Sequence, residues 1–286
     1  MTAEIISGKE VSAAYKDKLK LEVDQLKKKN LVPQLTVVLI GDNPASRSYV
    51  KGKEKAAAQV GIDSSVIELP DSTSEKELLD LLDELNQNDA VHGILVQLPL
   101  PEQISEQKVI ETIDPKKDVD GFHPINIGKM MTGEDTFLPC TPFGIIELIK
   151  SKDIDITGKH AVVIGRSNIV GKPVGQLLLN ENATVTYCHS RTENLKKYTL
   201  DADILIVAIG KENAISAEQI KPGAVIIDVG INRTSEGKLT GDVDFESAAL
   251  KAGYITPVPG GVGPMTITML LSNTIKAAKG LTSIEG

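Results

Sequence analysis

The chain has 286 residues, enough for two domains that each bury a core of their own, and its 41% hydrophobic and 24% charged residues are an ordinary globular profile. A formal net charge of −8 at pH 7 argues against general binding to nucleic acid or to an anionic membrane surface, since either needs a basic face. The two cysteines, Cys140 and Cys188, lie far apart without partners at ligand spacing, so neither a disulfide framework nor a metal site is expected.

The N-terminal stretch has no basic start followed by an apolar core, and no apolar run reaches membrane length, which places the chain in the cytoplasm as an expectation. Ser7 can cap a first helix running to about Lys29, with Val11, Tyr15, Leu19, Val23 and Leu26 at three- and four-residue spacing. Strand-like and helical runs then alternate: Leu35 to Ile40, a helix over 46–60, Val66 to Leu69, a helix over 74–85, Val91 to Gln97, and a helix over 104–113. This alternation predicts a mostly parallel sheet with helices on both faces. Thr141-Pro142 opens a helix to about Ser151, strands are expected at His160 to Ile164 and Ala183 to Tyr187, and buried strands at Asp203 to Ile209, Ala224 to Val229 and Tyr254 to Thr256. A last helix follows Pro259-Gly-Gly-Val-Gly-Pro264 and runs to about Ala278.

In the first half, the helix over 46–60 carries an unusual stripe. At about 100° per residue, Ala56 and Val60 fall within roughly 20° of Tyr49, and Lys53 within about 40°. Lys51 and Lys55 point elsewhere and read as a solvated face. A lysine beside a packing stripe either snorkels outward or sits in a pocket, where desolvation lowers its pKa toward neutrality and lets it move protons near pH 7. Gln97 ends a strand, and ligands of such sheets lie beyond the carboxyl ends of the strands. In Lys117-Asp118-Val119-Asp120-Gly121, Asp118 reads as a turn former, and Asp120 is the candidate for function.

In the second half, His160 to Leu179 reads as strand, polar loop and helix, with Gly165, Gly171 and Gly175 in a longer loop than the usual G-x-G-x-x-G. This pattern suits either a dinucleotide phosphate site or a plain strand-to-helix turn. The following strand runs into Cys188-His189-Ser190-Arg191-Thr192, where an NAD-preferring fold presents an acid to the ribose. No acid stands there. Ser190 and Arg191, with His189 and with Arg166 from the first loop, suit a 2′-phosphate and hence NADP; the alternative is a solvated polar turn.

Taken together, Tyr49-x-x-x-Lys53, Val96-Gln97-Leu98-Pro99-Leu100, Lys117 to Gly121, Pro139-Cys140-Thr141-Pro142, Gly165-Arg166-Ser167-x-x-Val170-Gly171-x-Pro173 and Pro257 to Thr266 resemble the motif set of the bifunctional methylenetetrahydrofolate dehydrogenase/methenyltetrahydrofolate cyclohydrolase family. The resemblance covers nearly the whole chain, in the family's order. It implies an α/β fold of two domains: a substrate domain over 1–140, completed by the C-terminal helix at about 265–286, and a Rossmann-like NADP-binding domain over 141–264, with the active site in the cleft between them. It implies that the pterin packs on Tyr49 while Asp120 binds its amino-pyrimidine edge, that Lys53 handles protons and that Gln97 positions it. Val96, Leu98, Gly260, Gly261, Gly263 and Pro264 would complete the folate site, and Gly165, Arg166, Ser167, Gly171, His189, Ser190, Arg191 and Ile231 the NADP site. The folate substrates would be 5,10-methylene- and 5,10-methenyltetrahydrofolate, and the assembly a homodimer. Two other readings keep to the same scaffold: an NADP-dependent dehydrogenase of a small hydroxy acid of the shikimate type, and a non-catalytic NADP sensor.

Overall fold

The computed structural model describes residues 2–282. The chain divides into two compact units, one formed by Ala14–Cys140 with the segment from Ile267, the other by the segment up to Ala13 with Thr141–Thr266. The changes of unit fall inside three helices, Gly8–Lys28, Cys140–Lys150 and Val262–Leu281.

The unit built on Ala14–Cys140 has a parallel sheet in the order Asp63–Leu69, Gln34–Ile40, Gly93–Val96. The central strand is buried along almost its whole length, as a parallel strand covered on both faces must be. Val38, Ile40, Ile94 and Val96 pack with Leu78, Leu82 and Val109 of the flanking helices in one core cluster. Local chemistry sets the helix ends. Ser74 and Glu77 form a reciprocal capping box on helix Glu75–Gln87. Asn43 accepts from the Ala45 and Ser46 amides to start helix Pro44–Val60, whose proline occupies the first turn, and Gly61 closes it at φ +83°. The other end of Glu75–Gln87 is finished from a distance, where the buried Lys117 donates its ammonium to the carbonyls of Leu85, Asn86 and Asn88 at 3.1, 2.8 and 2.8 Å.

The second unit has a six-stranded parallel sheet in the order Glu4–Ile5, Tyr254–Ile255, Val225–Asp228, Ile204–Val207, His160–Ile164, Thr184–Cys188. From His160 onward the strand order is second, first, third, fourth, fifth, so the direction of winding reverses between His160–Ile164 and Ile204–Val207. Loops leaving the carboxyl ends of these two strands diverge there and open a crevice, the place where doubly wound sheets bind ligands.

The α/β alternation predicted from the sequence is present in both units, with boundaries displaced by a few residues. Three elements differ. The first residues were expected with the first half, yet Glu4–Ile5 pairs in parallel with Tyr254–Ile255 and joins the other unit. Helix Pro124–Thr132 was not expected: its cap is His123, whose Nδ1 accepts from the Ile125 amide at 3.1 Å, and Gly128 interrupts its apolar pattern. The last helix reaches Leu281, past the expected Ala278, and the extension toward residue 286 lies, beyond 282, outside the described residues. No described helix is long and apolar enough to cross a membrane.

Candidate active site

Helix Pro44–Val60 follows the carboxyl end of the central strand, and its buried face runs through Ser46, Val50, Ala56, Ala57 and Val60. The stripe grades from core to rim. Val60 and Ala56 are buried, Lys53 is half-buried, and Tyr49 is 46% exposed, so Tyr49 is a rim residue and not part of the packing stripe. A half-exposed aromatic ring one turn from a half-buried lysine presents an apolar face beside a proton-handling group.

Lys53 Nζ donates to Gln97 Oε1 at 2.9 Å, and Gln97 Nε2 donates to the Leu98 carbonyl at 2.7 Å. Both ends of the Gln97 amide are thus committed, which fixes its orientation. The Gln97 amide N–H donates to the Val38 carbonyl at 2.9 Å, anchoring the residue just past strand Gly93–Val96. Burial pulls the Lys53 ammonium below the usual lysine range, and the charge of Asp120 opposes that fall. Burial likewise pushes the Asp120 carboxyl up to about 6, against the pull of Lys53 and with a further push from Asp118. Lys53, Gln97 and Asp120 are therefore brought together electrostatically from three separate segments.

Asp120 is held by its neighbours. Asp118 is buried and accepts from the amides of Gly121, Phe122 and His123 at 3.1, 3.3 and 2.8 Å and from Asn126 Nδ2 at 2.8 Å, so it is the turn former expected of it. Gly121 has φ +79°, and an added Cβ would overlap the Leu138 carbonyl. Cys140 lies next to Asp120. Burial, then the charge of Asp120, pushes its thiol well above the usual range, so it remains a thiol and donates to the Val119 carbonyl at 3.3 Å. Cys140 stood within a quoted motif but was not among the expected site residues; only burial beside a carboxylate marks it. From the last helix, Asn273 Nδ2 donates to the carbonyls of Val119 and Leu138 at 2.9 and 3.0 Å. Of the remaining residues expected at the folate site, Val96 is buried at the end of its strand and Leu98 is half-buried beside Gln97. Gly260, Gly261, Gly263 and Pro264 belong to the other compact unit.

In that unit, Gly165 stands at the carboxyl end of the first strand with φ +132°, where an added Cβ would overlap the Ala208 carbonyl, so only glycine fits. Gly171 packs as tightly on the Gly165 carbonyl. Ser167 Oγ accepts from the amides of Val170 and Gly171, each at 3.2 Å, and so supports the start of helix Gly171–Asn180 while leaving its hydroxyl proton free to donate to a phosphate oxygen. The third glycine of the pattern has another use. Gly175 packs against Tyr187, whose hydroxyl donates to the Lys172 carbonyl at 3.0 Å, and this brings helix and strand together. His189 organises the turn after strand Thr184–Cys188: its amide donates to Thr192 Oγ1 at 2.8 Å, and its Nδ1 accepts from the Arg191 amide at 3.2 Å. Arg166, Ser190, Arg191 and Ile231 are exposed. A tight glycine turn, a serine at a helix start and two solvent-facing guanidiniums fit a phosphorylated dinucleotide.

The turn Pro257–Gly261 has a partner that sequence reading did not single out. Gly8 packs so closely on the Gly261 carbonyl that an added Cβ would overlap it, and the Lys9 amide donates to the Gly260 carbonyl at 3.1 Å.

Two family models match: the tetrahydrofolate dehydrogenase/cyclohydrolase catalytic domain over residues 6–120 and the NAD(P)-binding domain of the same family over residues 139–282. The chain is 69% identical over 283 residues to the bifunctional protein FolD of Oceanobacillus iheyensis, covering 99% of each chain. Among solved structures it is similar to the bifunctional FolD enzyme of Campylobacter jejuni, with TM-score 0.96 and 52% identity over 97% of this chain and 99% of that one. It is also similar to the Trypanosoma brucei dehydrogenase-cyclohydrolase complexed with NADP and inhibitor, with TM-score 0.94 and 38% identity over 100% of both chains. With both halves matched and the lysine, glutamine and aspartate assembled in one of them, the chain belongs to the tetrahydrofolate dehydrogenase/cyclohydrolase family.

Proposed function

We infer that the chain oxidises 5,10-methylenetetrahydrofolate to the 5,10-methenyl form with NADP⁺ and then hydrolyses that product to 10-formyltetrahydrofolate, in one-carbon interconversion. The observation that carries the hydrolytic step is the 2.9 Å hydrogen bond between Lys53 and Gln97, with the Lys53 pKa lowered by burial. Bound NADP⁺ supplies a hydride acceptor. Because the methenyl product is a resonance-stabilised cation, no proton has to leave the reacting carbon in the first step, and the task of the chain is alignment. Tyr49 offers a flat apolar surface to the pterin, and Asp120 accepts from two donors on its amino-pyrimidine edge. Hydrolysis does need proton transfer. Lys53, whose ammonium is destabilised by burial, takes a proton from the attacking water in its neutral form and returns it to the departing ring nitrogen, while Gln97 holds its amine in line. Gly165, Arg166, Ser167, Gly171, His189, Ser190, Arg191 and Ile231 form the cofactor site in this reading, and Val96 and Leu98 adjoin Gln97 on the folate side. Oxidation of a hydroxy acid would instead call for a base that removes a hydroxyl proton as the hydride leaves, a role that this lysine, tied to an amide and an aspartate, does not need to fill.

The two buried, free thiols suit a reducing cytoplasm, and the family resemblance implies a homodimer. The substrate and cofactor domains correspond, in this reading, to the units built on Ala14–Cys140 and Thr141–Thr266.

The test is an absorbance time course with 5,10-methylenetetrahydrofolate and NADP⁺, repeated with NAD⁺, following NADPH and the methenyl species together. NADPH formation with little methenyl build-up, and breakdown of added methenyl substrate without cofactor, is the expected result. Methenyl decaying only at the buffer rate would remove the role of Lys53, and no reduction of either cofactor would leave a dehydrogenase of another substrate or a non-catalytic sensor.

The pH profile should carry the mark of Asp120. Its folded pKa of about 6 lies above the usual aspartate value, so the carboxylate is present above that pH and is lost as pH falls through it. The folate KM should therefore rise below about pH 6, and Asp120→Asn should remove that limb. The same substitution takes away the anion that raises Lys53, so the basic side of the hydrolysis profile should move to lower pH. An unmoved profile in Asp120→Asn would separate the two groups.

A further inference from the structure

The crevice where winding reverses is walled on one side by the loop Ala208–Lys211, which leaves strand Ile204–Val207, and the next loop, Val229–Asn232, leaves strand Val225–Asp228. Each exposes an isoleucine, Ile209 at 38% and Ile231 at 53%. The first loop carries no regular structure at Ile209, and the second passes from Ile231 into the short strand Asn232–Arg233, which pairs with Leu239–Thr240. Both loops are tied to one carboxylate that is wholly buried, that of Asp242. Its Oδ2 accepts from the amides of Ile209 and Gly210 at 2.7 and 2.9 Å, and its Oδ1 accepts from the Lys211 amide at 2.8 Å and from Asn232 Nδ2 at 2.9 Å.

A second carboxylate supports the first. Asp228 accepts from the amides of Gly230, Asp242 and Val243 at 2.9, 3.0 and 2.9 Å. The glycines record how closely the group is packed: an added Cβ at Gly230 would overlap the Asp242 carboxylate, and one at Gly241 that of Asp228. A buried anion satisfied by three consecutive amides and a side-chain amide is a rigid anchor, since each charge-assisted bond shortens and strengthens in a dry setting.

We propose that Asp242 is a positioning residue for the cofactor: it clamps the two loops that present Ile209 and Ile231, so that the apolar walls of the crevice stand in place before NADP arrives. The inference rests on the NADP reading given above. It adds Ile209 to the surfaces the cofactor meets and assigns the Gly241-Asp242-Val243 turn to cofactor binding, through the loops and not by contact.

The substitution Asp242→Asn keeps the shape but turns an N–H₂ donor toward amides that also donate. NADPH binding to the intact protein is measured by fluorescence titration, and amide hydrogen exchange is measured without cofactor. The expected result is a Kd raised by about 10-fold or more, with faster exchange at Ile209, Gly210 and Lys211. The KM for NADP⁺ should rise with it, while the KM for the folate stays within about twofold of the parent value. A Kd within about twofold of the parent, in a folded variant, overturns the proposal. Should Asp242→Asn fail to fold, Asn232→Ala cuts only the tie to the second loop; a Kd raised by about threefold or more supports the clamp, and a smaller change overturns it. If the parent protein itself does not bind NADPH, the cofactor reading has failed along with the clamp, an outcome distinct from parent and variant binding alike.

Discussion

Replacing Lys53 by methionine should lower the hydrolysis of 5,10-methenyltetrahydrofolate by about 10³-fold, within the range for loss of a general acid–base group, while measurable hydride transfer remains. Methionine matches the stem of lysine in length and volume, and the surroundings already disfavour charge, as the lowered pKa shows. The fold at this position should therefore survive. What is lost is the amine bonded to Gln97 at 2.9 Å, and with it the group that accepts a proton from water and returns it to nitrogen. Hydride transfer needs no such group, because the cation it produces loses no proton. The two activities should thus separate, and following them in the same preparation checks it. Equal loss of both would mean that Lys53 holds the substrate and does not move protons. Gln97→Leu should lie between parent and Lys53→Met, since it leaves the amine in place without its partner.

The double substitution Arg166→Ala and Arg191→Ala should lower the preference for NADP over NAD by about 10²-fold. A hydrogen bond to a charged group contributes about 1.5–3 kcal/mol, and two of them on one phosphate would exceed that factor in a dry site. Both guanidiniums are exposed here, so screening by water and salt reduces the sum. Binding of NAD, which lacks the 2′-phosphate, should change little. The measurement is the ratio of kcat/KM for the two cofactors at two salt concentrations: the parent ratio should fall as salt rises, and the ratio of the double variant should be flat. An unchanged ratio in the variant would assign the 2′-phosphate to other groups, with Ser190 and His189 the next to test.

The sequence by itself determined the features whose cause is local. Alternating strand and helix periods carried the α/β class, and the helix starts expected at 46 and 74 fall within two residues of those observed, because capping, here by Asn43 with Pro44 and by Ser74 with Glu77, is settled within four residues. The 100° step placed Lys53 beside the Tyr49–Val60 stripe, and the polar turn after strand Thr184–Cys188, without an acid, pointed to a phosphate. Tertiary structure decided whatever depends on burial or on segments far apart in the chain. Lys53 and Gln97 lie 44 residues apart, and no pattern between them states that they bond. Tyr49 is 46% exposed although its neighbour Val50 is buried, a difference in surroundings that periodicity does not encode. The carboxyl of Asp120 is raised to about 6 by desolvation, and Cys140 becomes a high-pKa thiol by the same cause, both properties of the surroundings and not of residue type. Glu4–Ile5 is too short to announce itself as a strand; it forms because Tyr254–Ile255 offers an edge. Gly241-Asp242-Val243 reads as an ordinary turn until folding brings two loops onto one buried carboxylate. Free energies of burial and of long-range hydrogen bonding are set by the assembled chain, so these features become readable only when the fold has brought their partners together.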